Sequence, residues 1–160
     1  MNTINSIESK RSLWQSITIL TLGFWLSSSL ILDWVIMPSL YVSGMMTQTG
    51  FASAGYVIFW NFNRVELLAA GLLLTAVLAV RNTQSYSRPA NTILAVLLLA
   101  VCLVETYFLT PQMSAIGINL DLFQAVETPA NMNLLHGGYW MLEVVKLGLG
   151  GVLLKNCWHS

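Results

Sequence analysis

Four apolar runs, each long enough to cross a lipid bilayer, are the feature that most limits what this chain can become. They occupy roughly residues 14–38, 56–80, 92–108 and 133–154. A helix needs about 20 mostly apolar residues to span the hydrocarbon core. Backbone groups in lipid must bond within their own segment, so these runs are helices and not lone strands. Little of the chain is left for anything else. The expectation is one integral membrane domain, 1–160, of all-α class: an up-down-up-down four-helix bundle.

Only 9% of the 160 residues are charged, against about 25% in an ordinary soluble domain. Several of those few lie inside the apolar runs. They are Asp33, Arg64, Glu66, Glu105, Glu143 and Lys146, joined by the titratable His136. An ionised side chain at a bilayer centre costs at least ~2.5–3.5 kcal/mol, so such groups are paired or functional. Together they form the candidate polar network or ligand-binding set.

Basic residues outside the runs orient the chain. Lys10 and Arg11 precede the first run, Arg81 and Arg88 separate the second from the third, and Lys155 follows the fourth. The connections 39–55 and 111–132 contain neither Lys nor Arg. Both termini and the middle loop are therefore expected on the cytoplasmic side, in a multi-pass protein. The first run is too long for a signal peptide, carries Asp33 and has no small-residue cleavage site, so it reads as a retained helix. No basic cluster points to nucleic acid. Cys102 and Cys157 fall at different depths and make no disulfide framework. Cys102 reads as a small packing residue.

The first helix is expected to begin near Ser12 or Leu13, after a frayed polar segment, and to end or kink at Pro38-Ser39. Gly23 and Ser27 are spaced as a close-packing pair. Pro89 suits the first turn of the third helix, which is expected to stop near Thr110-Pro111. Residues 116–126 read as a short amphipathic helix lying on the outer surface. Asp33 precedes Pro38 and Gly44 much as Glu105 precedes Pro111 and Gly117. Asn61-Phe62-Asn63 is echoed by Asn131-Met132-Asn133. Duplication of a helical hairpin would make Asp33 equivalent to Glu105 and Glu66 equivalent to His136; chance likeness is the alternative.

On the fourth helix, His136, Tyr139 or Trp140, Glu143 and Lys146 recur at helical spacing. Glu143 and Lys146 can pair directly. Arg64 and Glu66 point nearly opposite ways, so Arg64 is expected to bond Asp33 or Glu105 from another helix, since a guanidinium fork fits a carboxylate. Glu66 then meets Lys146 or is protonated. The buried polar layer is expected in the outer half of the bundle. His136 also lies there, with Met37, Met45, Met46, Met113 and Met132. Thioethers with one imidazole suit Cu(I), so a metal site would use His136, Met113 and Met132. His159 falls at the opposite end, which argues against a bis-His haem within one chain and leaves a His/Met or five-coordinate haem open. No Gly-rich phosphate loop or nucleophile elbow is present, and the residues name no cofactor.

Three short motifs carry a family resemblance. Met37-Pro38-Ser39-Leu40 closes the first helix, Phe51-Ala52-Ser53-Ala54-Gly55 leads into the second, and Leu134-Leu135-His136-Gly137 opens the last. In this order the chain resembles the four-helix membrane family typified by transmembrane protein 205. That resemblance implies four helices and links to metal or drug tolerance. Gly138-Tyr139 stands where the family would have a small hydroxyl residue after the histidine. The end of the third helix at Pro111 and the polar last helix also look like the anthrone-oxygenase-like four-helix proteins, which implies oxidation of a flat aromatic substrate. Copper-resistance membrane proteins are a weaker analogy. A shared bundle does not imply a shared function.

The leading expectation is a non-enzymatic bundle in the lipid bilayer. It binds a small ligand or ion, or serves as a homo-oligomer or subunit of a larger membrane complex. The alternative is a small oxidoreductase or metal-handling protein built around His136.

Overall fold

The computed structural model describes residues 2–45, 48, 50–83, 89–123 and 130–158. Six α-helices and two π segments follow one another: α1 (Asn2–Ser29), the π segment Leu30–Ile36, α2 (Met37–Val42), α3 (Phe51–Thr83), α4 (Pro89–Val104), the π segment Glu105–Leu109, α5 (Thr110–Phe123) and α6 (Ala130–Trp158). They make four spans long and apolar enough to cross a membrane: Leu13–Val42, Phe51–Asn82, Pro89–Asn119 and Asn131–Trp158. This is an all-α bundle of four membrane helices. Less than two-fifths of each span is buried in it. The remaining surface is apolar, with Leu20, Leu68 and Met141 at least 70% exposed, as a lipid-facing surface requires.

The first and third spans pass through their prolines instead of stopping. Pro lacks an N–H and clashes with the carbonyl four residues back. Both helices absorb this with a widened turn immediately before the proline. The N–H of Met37 bonds the Leu32 carbonyl, and that of Thr110 bonds the Glu105 carbonyl, five residues back in each case. Such i→i+5 turns insert one residue into the helix. Two expectations are corrected here. The third helix does not stop at Thr110-Pro111, and its continuation reaches Phe123, so 116–123 is not a separate surface helix; 124–126 lie outside the described residues. At the other end, α1 reaches back to Asn2 because no glycine or proline interrupts 2–12.

The apolar core fills the half of the bundle nearest the termini. Leu22, Leu73, Leu98 and Leu153 are fully buried there, one from each span. On α6 the buried residues Tyr139, Glu143, Lys146, Gly150, Leu153 and Cys157 alternate four- and three-residue steps, the seam of a left-handed bundle. Gly150 lets α1 approach α6. A Cβ there would lie 2.6 Å from Leu26 Cδ2. Gly23 and Ser27 form no such contact: Gly23 faces open space and Ser27 is exposed. At the distal end Gly44, with φ of 72°, turns the chain out of α2. Among the described elements, α2 contacts the π segment that precedes it and no other.

Candidate functional site

Both π segments begin the polar centre. Each contains one carboxylate, Asp33 in the first and Glu105 in the second, and both are buried. Asp33 and Glu105 thus each lie in the widened turn that precedes a proline. The extra residue also moves the inward stripe. After Ala95, Leu98, Cys102 and Glu105 the next buried position is Thr110, not Leu109. Thr110 thereby accepts a hydrogen bond from Asn63 Nδ2 at 2.8 Å.

Lys146 is the hub. Its ammonium donates to Glu66 Oε1 at 2.7 Å, to Glu105 Oε2 at 3.3 Å and to Glu143 Oε1. An ammonium has three donors, and three carboxyl groups from α3, the second π segment and α6 take all of them. All four residues are at most 1% exposed. Glu66 Oε1 receives two more donors from α1: the Trp25 indole at 2.8 Å and the Ser29 hydroxyl at 2.9 Å. Asp33 lies on the same face of the first span, four residues beyond Ser29, and accepts from the Tyr139 hydroxyl at 3.1 Å. Each of the four spans supplies at least one member.

The centre is unbalanced. One cation faces four carboxyl groups in a region closed to water. Among the described residues, Asp33 Oδ2, Glu105 Oε1 and Glu143 Oε2 have no hydrogen-bond partner although fully buried. Isolated buried charges are prohibitively costly. Neutrality needs three further positive charges, as protons or bound cations. Glu66, Cys102 and Glu105 also offer three ligand atoms within 4.8 Å of one another. A metal ion there would share Glu66 and Glu105 with the Lys146 ammonium, which bonds one oxygen of each.

The depth of the centre differs from expectation. Glu66 is the sixteenth residue of a 32-residue span, and Lys146 the sixteenth of 28. Glu105 is the seventeenth of 31. These three therefore sit at mid-span, not in the outer half, while Asp33, the twenty-first residue of its 30-residue span, lies beyond them towards the distal end.

Five of the seven predicted residues meet: Asp33, Glu66, Glu105, Glu143 and Lys146. Arg64 does not. It is exposed on α3, its guanidinium 3.3 Å from the centroid of the Trp60 ring, and the carboxylates proposed for it belong to Lys146 and Tyr139. The reason is helical phase. Asn63 and Glu66 share the inward face, while Asn61 and Arg64 share the outward one. His136 is also exposed, with Nδ1 2.9 Å from the Met132 carbonyl. It belongs to no cluster of three or more His, Cys, Asp or Glu side chains among the described residues, and Met113 and Met132 are half-buried. Its suggested counterpart Glu66 is buried, whereas His136 is exposed. Met46 and His159 lie outside the described residues.

Trp25, Ser29 and Tyr139 complete the site without having been singled out as its donors. The signal was present: Trp25, Ser29 and Asp33 recur every four residues, and buried Trp and Tyr need a partner for their polar atom. The motifs of the family resemblance lie elsewhere, at the distal ends of the spans. No protein-family model, curated protein or solved structure matches this chain.

Proposed function

We propose that this is a non-enzymatic membrane bundle whose mid-span centre binds a small cation, protons included, and that the ion enters from the distal side. The observation that carries this reading is the shortage of positive charge around Lys146. Glu66, with three donors on one oxygen, is the natural counter-ion of the ammonium. Glu105, Glu143 and Asp33 each hold a carboxyl oxygen that has no partner, which is where a proton or cation is accommodated.

Sidedness follows from what flanks the centre. Towards the termini it is sealed by Leu22, Leu73, Leu98 and Leu153, all fully buried. Towards the distal end stand the polar pairs Asp33–Tyr139 and Asn63–Thr110. With both termini cytoplasmic, as the basic residues favour, the ion would come from outside the cytoplasm. The five interior charged residues find their cover within one bundle, so they give no reason to require a partner chain. The alternative built on His136 gains no support, because that imidazole faces away from the carboxylates. Kinship with the transmembrane protein 205 family is part of the proposal and is compatible with it.

The test is a cation titration of the purified protein in weakly buffered detergent solution. Proton release and tryptophan fluorescence are recorded with Na+, K+ and Ca2+, and Trp25 serves as the reporter because its indole bonds Glu66. A saturable response that Glu105→Gln abolishes supports the reading. No proton exchange and no cation response in the wild-type protein overturns it.

A further inference from the structure

A second group of side chains winds round α3 from the half-buried Tyr56 to the exposed Trp60 and Arg64. Tyr56, Trp60 and Arg64 recur every four residues and stack in order. The Tyr56 and Trp60 ring centroids are 5.6 Å apart, and the Arg64 guanidinium covers the Trp60 ring at 3.3 Å. Arg64 and Trp60 are exposed, and among the described residues Arg64 makes no ion pair. Its neighbours along this surface are Val57, Val65, Leu68 and Leu72, all exposed and apolar. That is a surface for lipid tails with one cation in it.

An arginine facing hydrocarbon near mid-span is not stable without an anion or a route to the interface. The side chain has such a route. Side chains on a helix lean towards its N-terminus, which for α3 is the distal end, and stacking on Trp60 draws the guanidinium one turn that way. If α3 is centred in the bilayer, the Arg64 Cα lies roughly 10 Å below the distal edge of the ~30 Å core, at about 1.5 Å per residue. A snorkelling guanidinium covers most of that distance. Trp60 and Tyr56 lie progressively closer to the interface, where such rings settle.

We propose that Tyr56, Trp60 and Arg64 form a binding site for the phosphate of an anionic lipid headgroup in the distal leaflet. The guanidinium would take the phosphate oxygens as a fork, with the rings alongside the glycerol backbone. An anionic lipid is favoured over a protein carboxylate because Val57, Val65, Leu68 and Leu72 beside the arginine suit acyl chains, and the one polar neighbour among them, Asn61, spends its amide on the Val57 carbonyl.

Native mass spectrometry of the full chain in detergent, with phosphatidylglycerol or phosphatidylcholine added, tests this. The wild-type protein should retain phosphatidylglycerol in preference to phosphatidylcholine. Arg64→Gln should lower that retention roughly tenfold, the loss of one charge-assisted contact, and Trp60→Leu should lower it as well. Equal retention by wild type and Arg64→Gln overturns the proposal. So does a wild-type dimer that Arg64→Gln dissociates with no change in lipid, since the occupant would then be a second copy. Inorganic phosphate displacing the lipid from the wild-type protein also overturns it. Trp60→Leu keeps the test decisive if the arginine variant does not fold.

Discussion

Lys146 and Glu66 stand 80 residues apart in the sequence and meet at 2.7 Å in the middle of the bundle. Their bond ties α6 to α3, and the same ammonium ties in the second π segment through Glu105. The donors Trp25 and Ser29 bring α1 to the same Glu66 oxygen. The contacts around one ammonium and one carboxylate thus join all four spans near the middle of their length.

Removing the hub cation should be severe. Lys146→Met leaves three carboxyl groups buried without their shared donor, and breaking such a contact costs about 3–5 kcal/mol. Thermal melting in detergent should show a large loss. A variant that melts like the wild type would mean that the carboxyl groups do not depend on Lys146.

Arg64 should behave in the opposite way. It is exposed and bonds no carboxylate among the described residues, so Arg64→Leu should change stability by no more than about 0.5 kcal/mol. The same melting assay applies. A loss comparable to that of Lys146→Met would place Arg64 in the structural network after all.

Trp25→Phe keeps most of the apolar volume and removes the indole N–H. The lost bond to buried Glu66 should cost about 1–3 kcal/mol, and Ser29→Ala should act in the same direction. If Trp25→Phe alone is neutral in the melting assay, the indole bond contributes nothing to Glu66.

The approach of α1 to α6 makes a steric prediction. Gly150→Ala places a methyl against the end of the Leu26 side chain; the overpacking costs about 1–3 kcal/mol, of which the better helix propensity of alanine returns up to about 1 kcal/mol, so a net loss at the low end of that range is expected. Leu26→Ala in the same chain should recover part of the loss. A double variant no better than Gly150→Ala would show that Leu26 is not the obstacle.

The sequence made the helix count legible, because four apolar runs in a short chain admit few alternatives. The Glu143–Lys146 pair was legible too, since three residues on one helix bring the groups together. Which way α3 faces was not. Asn63 with Glu66 and Asn61 with Arg64 are both pairs at three-residue spacing. Inward positions such as Ala70 and Leu73 are as apolar as outward ones such as Leu68 and Leu72. In lipid both faces of a helix are apolar, so hydropathy carries no contrast between them. The π segments escaped for a different reason. A period of 3.6 residues is assumed when a helix is read from sequence, and the inserted residue before Pro111 shifts the inward position from Leu109 to Thr110. Proline marked the right places, and the carboxylate before each proline marked the site, but only the widened turns join the two observations.

The most direct test of the central claim is infrared spectroscopy of the interior carboxyl groups. The purified protein is compared with Glu105→Gln, Glu143→Gln and Asp33→Asn at neutral pH, in a buffer whose only cation is bulky and organic. The account predicts bands of protonated, water-excluded carboxyl groups in the wild-type protein, each weakened by at least one substitution. Four fully ionised carboxylates around a single ammonium, with no bound cation, would contradict it.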